Sequence, residues 1–194
     1  MKRVVFYCLV LMSTLLSACA PSETPAIESP VAEPSTTEPI ITSSFQLTST
    51  AFEPGGAIPP KYACGGEEVS PALNWNEPPA GAQSFALIMD DPDASSVPFV
   101  HWVIYNIPAS ARSLPEAVPA DEILPDGSLN GRTSIYSIGY MGPCPPSGVH
   151  HYSFKLYALD NILDFSAPAL KDDLLKAMEG HILAQSELIG TFQK

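Results

Sequence analysis

Four short apolar runs, Phe45–Ser49, Ser84–Asp90, Val100–Ile107 and His150–Asp160, are separated by turns rich in proline and glycine. That punctuation predicts a mainly β fold. In the last run Tyr152, Phe154, Leu156 and Ala158 share one face by the two-residue period, and Ser153, Lys155 and Tyr157 share the other. His150 opens this strand on its apolar face. One helix is expected near the C-terminus: Leu170, Leu174, Leu175 and Met178 keep helical spacing, Asp172 and Asp173 suit the positive end of the dipole, and Gly180 can close it. Beyond it Ile182, Ala184, Ser186 and Leu188 alternate with His181, Leu183, Gln185 and Glu187, the period of a strand.

The N-terminal segment reads as a targeting element. Lys2 and Arg3 precede the apolar stretch Val4 to Leu16, which is too short to span a bilayer comfortably, so residues 1–18 are expected to be a signal peptide. The stretch runs into Leu16-Ser17-Ala18-Cys19, which resembles the cleavage site of bacterial lipoproteins. The resemblance implies cleavage before Cys19, acylation of Cys19, and a membrane-anchored chain in the cell envelope facing away from the cytoplasm. The alternative is an ordinary secretory peptide cleaved near Ala20. Each buried methylene contributes about 0.8 kcal/mol, so several acyl chains on one residue would hold firmly. From Pro21 to Thr42, five prolines stand among Ser, Thr, Glu and Ala without apolar periodicity. Residues 19–43 are therefore expected to be a lipidated, disordered tether with an end-to-end reach of about 25 Å or more. A single folded domain at 44–194 follows, large enough for a real core.

Charge excludes one class of partner. Without Lys2 and Arg3 the formal charge of −12 becomes −14, and seven basic residues remain: Lys61, Arg112, Arg132, Lys155, Lys171, Lys176 and Lys194. No basic stripe is visible that could neutralise phosphates, so nucleic acid is a poor candidate, and so is charge attraction to an anionic lipid surface. Cys8 leaves with the signal peptide and Cys19 is assigned to lipid, which leaves Cys64 and Cys144. In an oxidising envelope a Cys64–Cys144 disulfide is the economical reading. Two free thiols in loops remain the alternative, since sequence does not supply the Cα separation a bridge requires. No metal-type cysteine pair is present.

Two polar clusters sit at strand ends or in tight loops, where a rigid sheet can aim side chains into a cleft. The first is Asp90-Asp91-Pro92-Asp93-Ala94 followed by Val100-His101-Trp102, and the second runs from Gly139-Tyr140-Met141-Gly142-Pro143-Cys144-Pro145-Pro146 to His150-His151-Tyr152. Taken singly, each has a plain structural reading: Asp-Pro-Asp-Ala is an ordinary turn, a His before Trp is a core residue, and Pro145-Pro146 is a rigid connector. Together, with Ser70-Pro71-Ala72-Leu73-Asn74-Trp75 and Tyr105-Asn106-Ile107-Pro108, they resemble the phosphatidylethanolamine-binding protein family, especially its bacterial Raf-kinase-inhibitor-like branch. The family's blocks are D-P-D-A-P then H-W, and G-x-x-P-P leading to H-x-Y. The resemblance spans about Thr48 to Phe192. Ser95 departs from it, standing where the first block ends in proline.

The resemblance implies an antiparallel, Greek-key-type β-sandwich with a few short peripheral helices and a pocket for a small anion or a phosphoethanolamine-type head group. Carried over by motif position, the pocket comprises Asp91, Asp93, His101, Gly142, Pro145, His150 and Tyr152, with Trp102 and Tyr140 lining it. His101 and His150 can each donate to an anion oxygen, and loop amides near Gly142 can approach closely. The aspartates make sense if one orients a histidine, accepts from an ammonium, or is held protonated. The leading reading is a non-enzymatic envelope binding protein that needs no cofactor. The alternative is an interaction inhibitor of a peptidase or kinase with a protein partner. A hydrolase ranks below both, because neither G-x-S-x-G nor H-E-x-x-H is present.

Overall fold

A computed structural model of the protein describes residues 45–165 and 168–194. The segments expected to be a signal peptide (1–18) and a tether (19–43), with Cys19, lie outside the described residues. Those described belong to one compact unit, 41–194.

Eight strands form among them: β1 (Leu47–Ser49), β2 (Leu73–Trp75), β3 (Ser84–Asp91), β4 (Phe99–Pro108), β5 (Ser113–Leu114), β6 (Leu129–Asn130), β7 (Val149–Leu159) and β8 (Ile182–Gln193). A 3-10 turn at Pro60–Tyr62 and one helix, α1 (Lys171–Met178), complete the set. A small sheet has the order β1-β2-β5 and a large one the order β6-β4-β3-β7-β8, every strand pair antiparallel. The β3–β4 and β7–β8 pairs are joined in space through β3 and β7, while the chain between β4 and β7 visits the small sheet and the opposite edge. This is the long return of a Greek-key arrangement. The β-sandwich expected from the sequence is what forms.

The centre of the large sheet is buried on both faces, which is why β3 reads as a continuous apolar run rather than an alternating one. All eight of its residues are buried. On the inner face Phe85, Leu87 and Met89 of β3, Trp102 and Ile104 of β4, and Tyr152, Phe154 and Leu156 of β7 meet Leu47, Leu73 and Trp75 of the small sheet. Phe85 is the hinge of that contact, with its ring 6.0 Å from Phe45 and 5.3 Å from Trp75. On the outer face Ala86, Ile88, Val103, Tyr105, Tyr157 and Leu159 pack against Leu163, Ala169 and the α1 residues Leu174 and Met178. The inner and outer assignments of β7 follow the two-residue period read from the sequence. Each of these fully buried large side chains contributes about 1.5–3 kcal/mol.

Helix α1 carries Asp172 and Asp173 in its first turn, and Gly180 follows it with φ 79°. Leu170, expected within the helical stripe, instead precedes the helix with extended backbone and is about one-third exposed, at 37%. The final alternating segment is a strand of 12 residues. Strands β2, β5 and β6 are two or three residues long. That is too short to leave a periodic trace.

Candidate functional site

Alternation along β3 sends neighbouring carboxylates to opposite faces of the large sheet. Asp90 points outward, where it is paired with Lys155 at 3.3 Å and with Lys171. Asp91 points inward, at the end of the strand, between β4 and β7.

Strict alternation along β4 would put His101 and Trp102 on opposite faces as well. Pairing skips one residue there: Met89 faces Trp102 and Asp90 faces Val100, which leaves His101 as the extra residue of a β-bulge. A bulge re-aims one side chain, and both His101 and Trp102 consequently turn inward. The His101 ring lies 5.0 Å from Phe99 and edge-on to Tyr152 at 5.2 Å. On β7 His150 and Tyr152 share the inner face by the ordinary period.

The hydrogen bonds fix both imidazoles. His150 Nδ1 and Asp91 Oδ2 are 2.8 Å apart, with both side chains nearly buried. Asp91 Oδ1 accepts from the Asp93 amide at 2.8 Å, so the Asp-Pro-Asp segment is a side-chain-capped turn and also delivers a carboxylate. His101 Nδ1 donates to the Met141 carbonyl at 2.9 Å, and the Met141 amide returns a 2.9 Å bond to the His101 carbonyl. Burial pushes the His101 pKa below its ordinary value, against the opposing pull of the Met141 and Gly142 carbonyls and the aspartates. Burial likewise drives the Tyr152 hydroxyl well up, helped by Asp91. That hydroxyl lies beside the Asp91 carboxylate and the Cys144 backbone amide, yet it makes no well-formed hydrogen bond to either.

The other expected residues divide. Asp93 is exposed and turned to His151, accepting from its amide at 2.8 Å and lying 2.7 Å from its Nδ1. These bonds hold the Asp93 carboxyl below the usual range. Trp102 is wholly buried behind the cluster, with Nε1 donating to Asn130 Oδ1 at 3.0 Å. Tyr140 stands edge-on to Trp102 at 5.7 Å and donates to the Tyr62 carbonyl at 2.8 Å. A Cβ at Gly142 would come within 2.6 Å of the Tyr62 carbonyl oxygen, so the missing side chain of Gly142 makes room for that backbone. The Gly142 amide points towards Glu68 Oε1, at a long 3.4 Å. Pro145, further along the same loop, is buried.

Cys64 and Cys144 form a disulfide with a Cα separation of 5.4 Å, and the Cys64 amide donates to the Pro143 carbonyl at 3.0 Å. The bridge ties the 62–64 segment to the loop whose Met141 carbonyl holds His101. Of the two cysteine alternatives left open by the sequence, the bridge is the one that forms.

Sequence reasoning missed His151, Asn130 and Tyr62. The doublet His150-His151 held the first signal, since adjacent strand residues face opposite ways. Nothing marked Asn130, which meets Trp102 across 28 residues. Open depressions of about 140 Å³ beside Tyr105, Glu122 and Phe165, and about 440 Å³ between Val97, Arg132, Tyr136 and the start of α1, lie elsewhere. Neither is lined by any of the clustered histidines or by Asp91.

Fold and cluster together define a class: a two-sheet antiparallel sandwich with two histidines, an aspartate and a tyrosine gathered at one end of its larger sheet. The chain belongs to the phosphatidylethanolamine-binding protein family, whose sequence model matches residues 48–193. It is 51% identical over 150 residues to a UPF0098 protein of Methanothermobacter thermautotrophicus, covering 77% of this chain and 99% of that one. A UPF0098 protein of Chlamydia muridarum is 41% identical over 155 residues, covering 77% and 99%. Among solved structures, a phosphatidylethanolamine-binding protein homologue from Chlamydia trachomatis aligns with TM-score 0.72 at 40% identity, covering 78% of this chain and 98% of that one. The Escherichia coli protein YbcL, described as a member of the mammalian family, aligns with TM-score 0.73 at 30% identity over 78% and 99%.

Proposed function

We propose that the protein is a non-enzymatic binding protein of the bacterial Raf-kinase-inhibitor-like branch, whose Asp91–His101–His150–Tyr152 cluster takes a small oxyanion or a phospholipid head group. One observation carries this reading above the others. Tyr152 is fully buried, yet its hydroxyl is left without a partner. An unsatisfied buried hydroxyl costs about 1–3 kcal/mol, and such a group beside the carboxylate that orients His150, on a ring packed against His101, suits a ligand that supplies the missing bond. A hydrolase has less support, since no nucleophile is paired with either imidazole in the bonds described above.

Calorimetric titration of the purified protein with inorganic phosphate and with phosphoethanolamine tests the pocket. Saturable binding that disappears in His101→Ala and in His150→Ala, both checked for folding, is the expected result. Absence of heat with either ligand would move the reading to an inhibitor that meets a protein partner through another surface. Phosphoethanolamine binding more tightly than phosphate would assign the head-group role.

Display in the cell envelope through an acylated Cys19 belongs to the same proposal and rests on the Leu16-Ser17-Ala18-Cys19 sequence. Expression with a labelled fatty acid should mark the wild-type chain and leave Cys19→Ser unmarked. A labelled Cys19→Ser chain, or an unlabelled wild type, would remove the anchor.

A further inference from the structure

The donors and acceptors of the cluster limit the state in which it can hold an anion. A carbonyl only accepts, so the 2.9 Å contact with Met141 fixes a proton on His101 Nδ1. In the neutral ring Nε2 then carries a lone pair, and it turns from acceptor to donor only when a second proton arrives. The contacts of the His101 and His150 rings with Met141 and Asp91 both run through Nδ1, so Nε2 is the ring nitrogen these contacts leave for a ligand.

Charge points the same way. The titratable and charged groups around His101 and its neighbours are Asp91 and, beyond it, Asp90 on β3, Asp93 in the turn that follows, and His150 and Tyr152 on β7; on the 139–146 loop stands Tyr140, and Glu68 lies against the Gly142 amide. None is a permanent cation. The nearby lysines, Lys155 of β7 and Lys171 of α1, are paired to Asp90 on the other face. A fully ionised oxyanion brought to this cluster would meet the Nε2 lone pair of a neutral His101 and the carboxylate of Asp91.

We propose, resting on the pocket reading above, that the site takes its anion together with one proton: its ligands are protonated oxyanions such as a phosphate monoester monoanion, or fully ionised ones that draw a proton from solution. The added proton lies between His101 Nε2 and a ligand oxygen, and the Tyr152 hydroxyl supplies the second donor. No bond is made or broken other than that to the proton, which comes from the ligand or from the buffer.

Sulfate separates proton uptake from ligand titration, because it stays fully ionised throughout the working range. Sulfate and phosphate are titrated calorimetrically from about pH 6 to about pH 8.5, in buffers of unlike ionisation heat. Above the free-site pKa of His101, sulfate affinity should fall about tenfold per pH unit, and the buffer dependence should report uptake of about one proton. The His101 ring resonance should titrate at higher pH with sulfate than without it, a readout that needs no variant. In folded His101→Gln the pH dependence should vanish. Saturable sulfate binding with an affinity constant within twofold across the range, and no buffer dependence, would overturn proton coupling while leaving the anion pocket standing. Absence of saturable binding at every pH would overturn both.

Discussion

Asp90 and Asp91 are consecutive, equally buried at 1% and 3% exposure, and carried by the same strand, yet the sheet assigns them opposite work. Asp90 faces two lysines and is saturated. Asp91 faces one histidine and a backbone amide, and the hydroxyl next to it is left unbonded. The outer face is thus a closed ion network that packs a helix onto the sheet. The inner end is an oriented arrangement with bonding capacity to spare. Burial of a carboxylate alone therefore does not mark a site; here the added signal is an unmet polar group next to it.

The two sides also differ in how they are held. The outer network is non-covalent, whereas the inner cluster leans on the loop braced by Cys64–Cys144. Removing that bridge should have the largest effect. The cysteines are 80 residues apart, and closing such a loop in the unfolded chain is worth about 4 kcal/mol. Cys64→Ala/Cys144→Ala should lose stability of that order in urea denaturation and should also weaken ligand binding. Loss of stability with unchanged affinity would show that the loop's hydrogen bonds alone position His101.

Next in size is the carboxylate contrast itself. Asp90→Asn strands Lys155 and Lys171 around a neutral amide and should cost about 2–4 kcal/mol, tempered because Lys155 keeps about a third of its exposure, 37%. Phosphate affinity should be unchanged. Asp91→Asn should cost about 1 kcal/mol and abolish binding, since the amide no longer fixes the His150 ring. Equal losses of stability with equal retention of binding would erase the distinction between the faces.

Gly142→Ala should come third. Its Cβ would lie 2.6 Å from the Tyr62 carbonyl and 3.0 Å from Ala63 backbone atoms, none of which can swing away. A penalty of about 1–3 kcal/mol in thermal or urea unfolding is expected, with weakened binding as the Met141 carbonyl shifts. A stable variant that still binds would mean that the loop can slide away from the 62–63 backbone without moving His101.

Much of this contrast is legible in the sequence, and the illegible part has a physical pattern. The period of β7 places Tyr152 and Phe154 inward and Lys155 outward. The continuous run of β3 marks a strand covered on both faces. What the period cannot show is a departure from itself: the bulge that turns both His101 and Trp102 inward depends on pairing with β3, a long-range fact. Likewise Gly142 suggests close approach, but only the fold says that the approaching group is the Tyr62–Ala63 backbone. The roles of Asn130 and Tyr62 are not legible, because they are set entirely by partners distant in sequence.

The smallest expected change in stability belongs to the residue that most sharply separates the two faces. Tyr152→Phe removes a hydroxyl that makes no well-formed hydrogen bond to its neighbours Asp91 and Cys144 and keeps the ring against His101, so little bonding of the resting protein is lost. Deleting an unsatisfied buried polar atom is neutral or stabilising, here by about 0–1 kcal/mol. If the hydroxyl exists for a ligand, the same substitution should weaken phosphate binding about tenfold, which corresponds to roughly 1.4 kcal/mol. Stability and affinity then move in opposite directions from one atom, as no residue of the Asp90 network should allow. If Tyr152→Phe destabilises the protein instead, the hydroxyl holds a structural partner such as an internal water, and the inner end is as closed as the outer face.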